Sequence, residues 1–181
     1  LKSVGYSTAC VGKWHLGSRP RYLPNNRGFD EFFGLPYSHD LWPPSLLRDY
    51  ETIEENPPCD TLTRRYTQQA VDFIARAKDG PFFLYLAHNM PHIPLGVSPA
   101  FRNNSGLGLY GDAVQEIDWS VGQVLDALEA HGIDDRTMVM FTSDHGPWYE
   151  GSPGRLRGRK AQNFEGGVRV AFIVLFPGRI P

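Results

Sequence analysis

Short apolar segments separated by longer amphipathic stretches are the feature that most constrains the fold of this chain. Residues 6–11, 82–87, 137–142 and 168–176 form runs with almost no charge, bounded by glycine, proline or polar residues. Apolar runs of this length predict strands. The scarcity of polar residues within them is typical of strands that are covered on both faces.

Two stretches between these strands predict amphipathic helices. Over residues 62–77 and 112–131, apolar side chains recur at steps of three and four, which places them on one side of a helix. Asp112 falls in the first turn of the second helix, where the helix dipole favours an acid. Together with Glu116 and Asp118, it is expected on the polar face of that helix.

The order strand, helix, strand, helix, strand predicts an α/β fold with a mostly parallel sheet and helices on both faces. Residues 18–60 are rich in proline, glycine and asparagine and show no sustained period, so they are predicted to form a long ordered loop. Because parallel strands end at one edge of a sheet, polar residues after those strands are candidates for a binding site.

The composition narrows the possible classes of function. A chain of 181 residues is long enough for a domain with a sizeable core, and its net charge of −2 gives no indication of a nucleic-acid partner. The longest apolar run, residues 170–176, is too short to span a bilayer. Cys10 and Cys59 form neither a disulfide framework nor a zinc spacing, and Cys10 is expected to be a small buried hydrophobe.

Charged and imidazole side chains follow three of the predicted strands. They are Lys13 and His15 after the first strand, His88 and His92 after the second, and Asp144 and His145 after the third, with Lys160 in the loop before the last strand. Since these strand ends are expected at one edge, the combination of cations, imidazoles and a carboxylate predicts a site for an anion beside a metal ion.

Each of these residues also has an ordinary structural interpretation. Asp144 can bond its own backbone in a turn, and His92 can pack between the prolines of "PHIP". His88 is expected to be structural, capping the end of its strand. Lys160 lies in a basic stretch that is typical of a solvated loop. The residues alone leave these alternatives open.

Five segments resemble motifs of the sulfatase family, of the arylsulfatase A and galactosamine-6-sulfatase type. In chain order they are "GYSTACVGKWHLG", "RGFDEFFGLPYSHD", "YGDAVQEIDWSVGQVLDAL", "FTSDHGPW" and "KAQNFEGGVRV". The resemblance covers nearly the whole chain. It implies an alkaline-phosphatase-like three-layer α/β sandwich, of which this chain is a partial domain, and a hydrolase that cleaves sulfate monoesters.

The resemblance also implies roles for individual residues. Lys13 and Lys160 would contact the sulfate oxygens. His15 would hydrogen-bond the nucleophile and help to release sulfate from it. His92 would face the sulfate and the leaving oxygen, and His39 of "PYSHD" is a weaker candidate for the substrate pocket.

A calcium ion is the metal that the resemblance implies. Asp144 would be a ligand, with His145 in the adjacent ligand position. Calcium prefers oxygen donors, so the His145 imidazole is expected to be the weaker of the two ligands. The paired aspartates that supply most calcium ligands in the family are expected upstream of Leu1.

The family nucleophile, a formylglycine made from a cysteine in a Cys-x-Pro-x-Arg motif, has no counterpart in the sequence. Cys10 is followed by "VGK" and Cys59 by "DTL". We therefore expect residues 1–181 to be part of the sulfatase catalytic domain, without its N-terminal nucleophile segment and C-terminal subdomain. On their own these residues are expected to be inactive.

Two other functions remain open from the sequence. A phosphate or phosphonate ester hydrolase of the alkaline phosphatase superfamily would use similar cations, and a non-catalytic remnant would keep the anion pocket alone. The partner expected from the resemblance is a small-molecule or saccharide sulfate ester, with no nucleic acid and no membrane span. The parent protein is expected to be exported to a periplasmic, extracellular or lysosomal compartment.

Overall fold

The computed structural model describes residues 1–180 of the chain, and these divide into two compact units. The first unit is Leu1–His131, and the second begins at Gly132. None of the helices formed by the described residues is long and apolar enough to cross a membrane.

A five-stranded mixed sheet organises the first unit. Its strands are β1 (Ser7–Lys13), β2 (Glu31–Leu35), β3 (Ser45–Arg48), β4 (Glu51–Glu55) and β5 (Phe82–Ala87), in the spatial order β4-β3-β2-β1-β5. Strand β1 runs parallel to both β2 and β5, whereas β3 and β4 extend the sheet by antiparallel pairing. The predicted parallel arrangement therefore holds for the three strands β2, β1 and β5.

Two helices accompany this sheet. Helix α1 (Leu62–Ala77) has the predicted bounds, and helix α2 (Gly108–Ala130) begins four residues before the predicted start. Leu62 and Tyr66 of α1 pack on Val11 and Phe33 of the sheet. A buried hydrogen bond of 2.6 Å between the Thr67 and Ser120 hydroxyls joins α1 to α2.

The two faces of the sheet have different coverings. Because successive side chains of a strand point to opposite faces, Val11 contributes to the core under α1, while its neighbour Cys10 lies in a second core cluster with Leu23 and Phe32. Residues 14–29, through Trp14, Leu23 and Phe29, cover this second face of the sheet. Cys10 is fully buried, as expected, and burial raises the pKa of its thiol to about 12.

The prediction of a loop over residues 18–60 was wrong. The segment contains β2, β3 and β4, of which β2 pairs with β1 in the middle of the sheet. These strands have only four or five residues each, so the turns between them dominate the composition of the segment. These strands are stabilised by pairing with other strands and by burial, and a local sequence pattern does not show either of these.

The expected polar face of α2 is also partly wrong. Asp112 and Glu116 are each 1% exposed, although Asp118 is exposed as predicted. The Asp112 carboxylate accepts hydrogen bonds from the backbone N–H groups of residues 103–105, and Glu116 accepts one of 2.9 Å from Ser98 N–H. These carboxylates are buried because they satisfy backbone donors of the loop before the helix.

The second unit contains a separate two-stranded sheet. Strand β6 (Val139–Thr142) pairs with β7 (Phe172–Leu175), and the short helix α3 (Glu165–Val168) precedes β7. The pairing is antiparallel, with Val139 opposite Leu175. The prediction that these strands continue a parallel sheet was therefore wrong, and the strand predicted over residues 168–176 is shorter than expected.

Candidate functional site

Three parallel strands of the first unit end at the same edge of the sheet. In the pairing register, Lys13 of β1 lies opposite Leu35 of β2, and Gly12 lies opposite Ala87 of β5. The segments that leave these strands therefore start side by side. They carry Lys13 and His15, the "SHD" triplet after β2, and the histidines after β5.

Glycines allow the close approach of the strands at this edge. Gly12 has a φ of +116°, and a Cβ atom on it would lie 1.9 Å from the carbonyl oxygen of Ala87. A Cβ atom on Gly34 would lie 1.7 Å from the carbonyl oxygen of Gly12. Both distances are far inside van der Waals contact, so a larger residue at either position requires the strands to separate.

The loop after β1 is fixed by its tryptophan. Trp14 donates its indole N–H to the carbonyl of Tyr22 at 2.8 Å, and its ring meets Phe29 edge to face at 6.0 Å. Its backbone N–H bonds to the carbonyl of Leu35 at 2.9 Å. This anchor leaves Lys13 half-buried at the strand end and His15 exposed in a left-handed conformation, with a φ of +56°.

His92 lies in the proline-rich loop that follows β5. Its Nδ1 donates a hydrogen bond of 2.6 Å to the backbone carbonyl of Ile93. In the neutral ring, Nε2 then carries the lone pair and is the nitrogen that can accept or return a proton. The ring packs edge to face on His39, with 5.7 Å between centroids.

His39 connects the segment after β2 to the loop after β5. Its Nε2 lies 2.9 Å from the carbonyl of Pro94, and its Nδ1 lies 3.0 Å from the Asn89 side-chain nitrogen. His39 is 7% exposed and Asn89 is 3% exposed. The two ring nitrogens of His39 are thus engaged inside the protein, whereas the sequence had suggested this residue for the substrate pocket.

The electrostatics of this edge combine three cations or potential cations, Lys13, His39 and His92, with one carboxylate, Asp40. Burial lowers the pKa of His39, and the charges of His92 and Lys13 lower it further. The Ser38 hydroxyl lowers the pKa of Asp40, as do the charges of His92 and His39. Asp40 is exposed and therefore remains an anion beside the imidazoles.

A cleft adjoins the two residues His39 and Asp40. It has a volume of about 350 Å³ and is lined by Leu35, His39, Asp40, Trp42, Pro44, Pro57, Cys59, Leu62 and Pro94. Burial raises the pKa of the Cys59 thiol to about 11, and the charge of Asp60 adds to this effect. Cys59 therefore stays protonated at neutral pH and lacks the thiolate character of a nucleophile.

His88, at the end of β5, has a structural environment. Its Nε2 lies 3.0 Å from the Ser120 hydroxyl, and its Nδ1 is buried without a hydrogen-bond partner among residues 1–180. Burial lowers its pKa to about 4, so the ring is neutral at physiological pH. The sequence interpretation of His88 as a strand cap is replaced by a contact with helix α2 through Ser120.

The second unit places Asp144 and His145 on a turn directly after β6. Their side chains meet with 3.3 Å between Asp144 Oδ2 and His145 Nε2, and the Asp144 side chain is 81% exposed. His145 Nδ1 donates to the carbonyl of Gly146 at 2.8 Å. In the neutral ring, the Nε2 lone pair and the carboxylate oxygen therefore face each other, which is an arrangement that a cation can bridge.

Backbone hydrogen bonds hold Lys160 beside this turn. The N–H of Lys160 bonds to the carbonyl of Pro147 at 3.0 Å, and the N–H of Gly146 bonds to the carbonyl of Gly167 at 2.9 Å. The Arg159 guanidinium donates to the carbonyls of Trp148 and Gly151. The backbone of Lys160 is thus bonded to the segment that directly follows Asp144 and His145, and Arg159 is a structural residue there.

A complete metal site is absent from the part of the chain that the structure describes. No group of three or more His, Cys, Asp or Glu side chains within residues 1–180 is arranged to hold a metal ion. Asp144 and His145 supply two donor atoms, and calcium takes six to eight ligands. These two residues can therefore form only part of a calcium site.

Sequence reasoning missed Asn89 and the carbonyl of Pro94. Both contact His39, which is about 50 residues away along the chain, and the Pro94 carbonyl also accepts a hydrogen bond from the Cys59 thiol. Asn89 directly follows a histidine at a strand end, and this position is the one signal that could have identified it.

Solved structures with a similar fold include sulfatases. The structure of Ps i-CgsB in complex with k-i-k-neocarrahexaose matches with a TM-score of 0.83 and 29% identity, over 99% of this chain and 47% of that chain. The PsFucS1 sulfatase from Pseudoalteromonas sp. matches with a TM-score of 0.87 and 26% identity, over 99% of this chain and 44% of that chain. The expected alkaline-phosphatase-like α/β fold is thereby confirmed, as a partial domain.

Sequence comparison identifies longer relatives of the same kind. N-acetylgalactosamine-6-sulfatase of Mus musculus is 43% identical over 204 residues, which cover 99% of this chain and 39% of that protein. Arylsulfatase G of Homo sapiens is 35% identical over 231 residues, covering 100% of this chain and 44% of that protein. The chain thus spans about two fifths of the length of these relatives. The Sulfatase family model matches residues 1–181, so the chain belongs to the sulfatase family.

Proposed function

We propose that this chain is the central part of an enzyme that hydrolyses sulfate monoesters. The match of the Sulfatase family model to the whole chain is the observation that carries this proposal. The geometry of the first unit supports it, because Lys13, His15 and His92 all lie on segments that leave the same sheet edge. An ammonium group and imidazoles at one edge suit a substrate that carries a charged sulfuryl group.

The chemistry of sulfate transfer explains why these residue types are needed. As the ester bond to sulfur breaks, negative charge grows on the sulfuryl oxygens and on the leaving oxygen. Fixed cations lower the barrier when they stabilise this charge more strongly than that of the bound ester. We assign this role to Lys13 and Lys160, each through its ammonium group.

The histidines handle protons in this proposal. His92 uses its Nδ1–H to bond the Ile93 carbonyl, which leaves Nε2 to face the leaving oxygen. In the imidazolium form Nε2 also carries a proton, which passes to the leaving oxygen as the ester bond breaks and leaves the ring neutral. His15 is exposed at the end of the "GKWH" segment, where it can hydrogen-bond the nucleophile and assist release of sulfate. A formylglycine upstream of Leu1 would supply the nucleophile to which the sulfuryl group transfers.

Asp144 and His145 fit a calcium ion in part. Their facing Oδ2 and Nε2 atoms can occupy neighbouring ligand positions, and Asp144 supplies the charged oxygen that calcium prefers. Further oxygen donors would be needed, and the family resemblance assigns them to paired aspartates outside residues 1–181. When bound, the ion would offset the negative charge of the sulfate and of the nucleophile.

A sulfated saccharide is the substrate class that the comparisons favour. The relatives include N-acetylgalactosamine-6-sulfatase, and Ps i-CgsB was solved with k-i-k-neocarrahexaose. The cleft of about 350 Å³ beside His39 and Asp40 is large enough for part of a sugar ring. We also propose that the complete protein is exported, as expected from the resemblance.

An assay on the complete protein tests the proposed function. The protein is incubated with an aryl sulfate, a 6-O-sulfated amino sugar and an aryl phosphate, and release of sulfate or phosphate is measured. Turnover of a sulfate ester in preference to the phosphate supports the proposal. Preference for the phosphate indicates the phosphorus branch of the superfamily, and binding of sulfate with no turnover of any ester indicates an anion-binding remnant. Either of these two results contradicts it.

A further inference from the structure

Both ring nitrogens of His39 make their contacts within the protein, although the residue also lines the cleft of about 350 Å³. A carbonyl oxygen can only accept a hydrogen bond, so the 2.9 Å contact with Pro94 requires a proton on Nε2. The Asn89 amide nitrogen can only donate, so the 3.0 Å contact requires a bare Nδ1. With the Asn89 amide in this orientation, its Oδ1 is buried without a hydrogen-bond partner among residues 1–180. The two contacts then fit one neutral tautomer, with Nε2 protonated.

The residues that hold this tautomer belong to the loop that carries His92. Asn89 and Pro94 lie three residues before and two residues after His92, so His39 bonds the loop on both sides of that histidine. The edge-to-face contact of 5.7 Å between the rings then restricts the rotation of His92. Restricting a side chain in this way is a means of holding a reacting group in its productive geometry.

We propose that His39 is a positioning residue, which orients His92 toward the sulfate ester and does not contact the substrate through a ring nitrogen. The inference rests on the proposed function, because it takes His92 as the group that faces the leaving oxygen. It assigns His39 a different role from the pocket residue that the resemblance suggested. It also implies that Asn89 and the Pro94 carbonyl contribute to the geometry of the site, because they hold His39 in place.

The surroundings of His39 favour the neutral form that this role requires. A second proton would place Nδ1–H against the Asn89 amide hydrogens, and burial also disfavours the charge. The charged groups that face the ring are Lys13 at the end of β1, His92 in the opposite loop and Asp40 beside it. Of these, only Asp40 favours a proton on His39.

Substitutions of His39 in the complete protein test the proposal through kinetics. His39→Phe keeps a ring against His92 but removes both hydrogen bonds, whereas His39→Gln retains a donor near the position of Nε2. A 1 Å displacement of a reacting group costs about a hundredfold in rate. We therefore expect His39→Phe to lower kcat by ten- to a hundredfold with KM changed less than threefold, and His39→Gln to retain more activity. His131→Phe, at an exposed histidine after α2, is the matched control.

A double-mutant cycle separates positioning from general stability. If His39 acts through His92, His39→Phe combined with His92→Ala loses no more kcat than His92→Ala alone. Multiplicative losses in the double variant, or a raised KM with normal kcat in His39→Phe, would overturn the proposal. Circular dichroism and thermal midpoints identify any variant that has not folded, and His39→Gln then provides the comparison.

The ring protonation state gives a readout that does not depend on turnover. Nitrogen NMR of the complete protein, labelled with ¹⁵N-histidine, is expected to show His39 neutral and protonated on Nε2 at pH 7. A cationic ring, or a proton on Nδ1 alone, would refute the proposed contacts whether or not the enzyme cleaves sulfate. Conversely, absence of turnover in the unsubstituted protein counts against the proposed function while the NMR result still decides the geometry of His39.

Discussion

The polar clusters of the two units are held in place to very different degrees. In the first unit, Lys13, His39 and His92 lie between adjacent strand ends, and the His39 ring is 7% exposed with both nitrogens engaged. In the second unit, Asp144 projects from a turn with its side chain 81% exposed. Its close partner there is the facing nitrogen of His145.

The difference shows which group of residues this chain can organise by itself. The first cluster is built on a parallel β-sheet whose glycines allow close packing, so its geometry is set by strand pairing. The second cluster, Asp144 and His145, presents two donor atoms on a short exposed turn, where a bound cation would bridge them. We therefore expect substitutions in the first cluster to act on rate and stability, and substitutions of Asp144 and His145 to act on metal binding.

The largest effect is expected for Asp144. In the complete protein, Asp144→Ala removes a charged oxygen that calcium requires, so bound calcium and sulfatase activity should be lost together. His145→Asn should be tolerated, because an amide oxygen is a better calcium ligand than an imidazole nitrogen. Calcium content by elemental analysis and turnover of an aryl sulfate measure the two effects.

The exposed aspartate of α2 provides a matched control for this prediction. Asp118→Ala should change neither calcium content nor turnover. An Asp144→Ala protein that remains folded, loaded with calcium and active would show that the "SDHG" segment is only a turn. Loss of the metal in His145→Asn would show that the imidazole itself is required.

The next largest effect is expected for the two lysines. Lys13→Ala and Lys160→Ala in the complete protein should each lower kcat by about a hundredfold or more, or about 3 kcal/mol, with a smaller change in KM, because they oppose charge that grows in the transition state. Lys78→Ala, at the end of α1, is the control. Near-normal turnover in either variant would remove that lysine from the proposed sulfate site.

The pH dependence of stability is expected to report the buried imidazoles of the first unit. The pKa of His88 is about 4 in the folded protein and about 6.5 in an unfolded chain, so the unfolded state binds the proton first as the pH falls. The contribution of His88 is therefore complete above pH 6.5, and roughly 3 kcal/mol of unfolding free energy is lost as the pH falls to 4. His39 adds a loss of the same sign.

Urea unfolding of the complete protein at a series of pH values measures this loss. Carboxylates also titrate in this range, so the relevant quantity is the difference between the unsubstituted protein and His88→Gln. The variant should show the shallower decline between pH 6.5 and 4. Equal slopes in the two proteins would mean that His88 is more accessible to water than its contacts indicate.

The helices and the outer parts of the site were predictable because their signals are local. The apolar stripe of residues 62–77 gave both ends of α1, and β5 has the bounds predicted for it. Lys13, His15 and His92 were found as candidates because each follows an apolar strand. Their roles came from the family motifs, which carry information that spacing alone does not.

The features that were missed depend on contacts between distant parts of the chain. Strand β2 has only five residues and is stabilised by pairing with β1. Because the residues on either side of it form turns, the composition of the segment predicted a loop. The antiparallel pairing of β6 with β7 has no local signature that separates it from parallel pairing. Similarly, both ring nitrogens of His39 are hydrogen-bonded, by Asn89 and by the Pro94 carbonyl. No motif around His39 predicts these two partners.

The smallest predicted effect concerns the anchor of the loop that carries Lys13 and His15. Trp14→Phe keeps an aromatic ring near Phe29 but removes the 2.8 Å hydrogen bond from the indole to the carbonyl of Tyr22. A hydrogen bond of this kind contributes about 1 kcal/mol, and the relatives are more than twice as long as this chain, so the thermal midpoint of the complete protein should fall by about 1 °C. Trp42→Phe, where the ring is 78% exposed, should leave the midpoint unchanged. A change in kcat larger than twofold in Trp14→Phe would show that the indole anchor also sets the position of Lys13 or His15. Equal thermal midpoints in the unsubstituted protein, Trp14→Phe and Trp42→Phe would show that the Trp14 hydrogen bond does not stabilise the first unit.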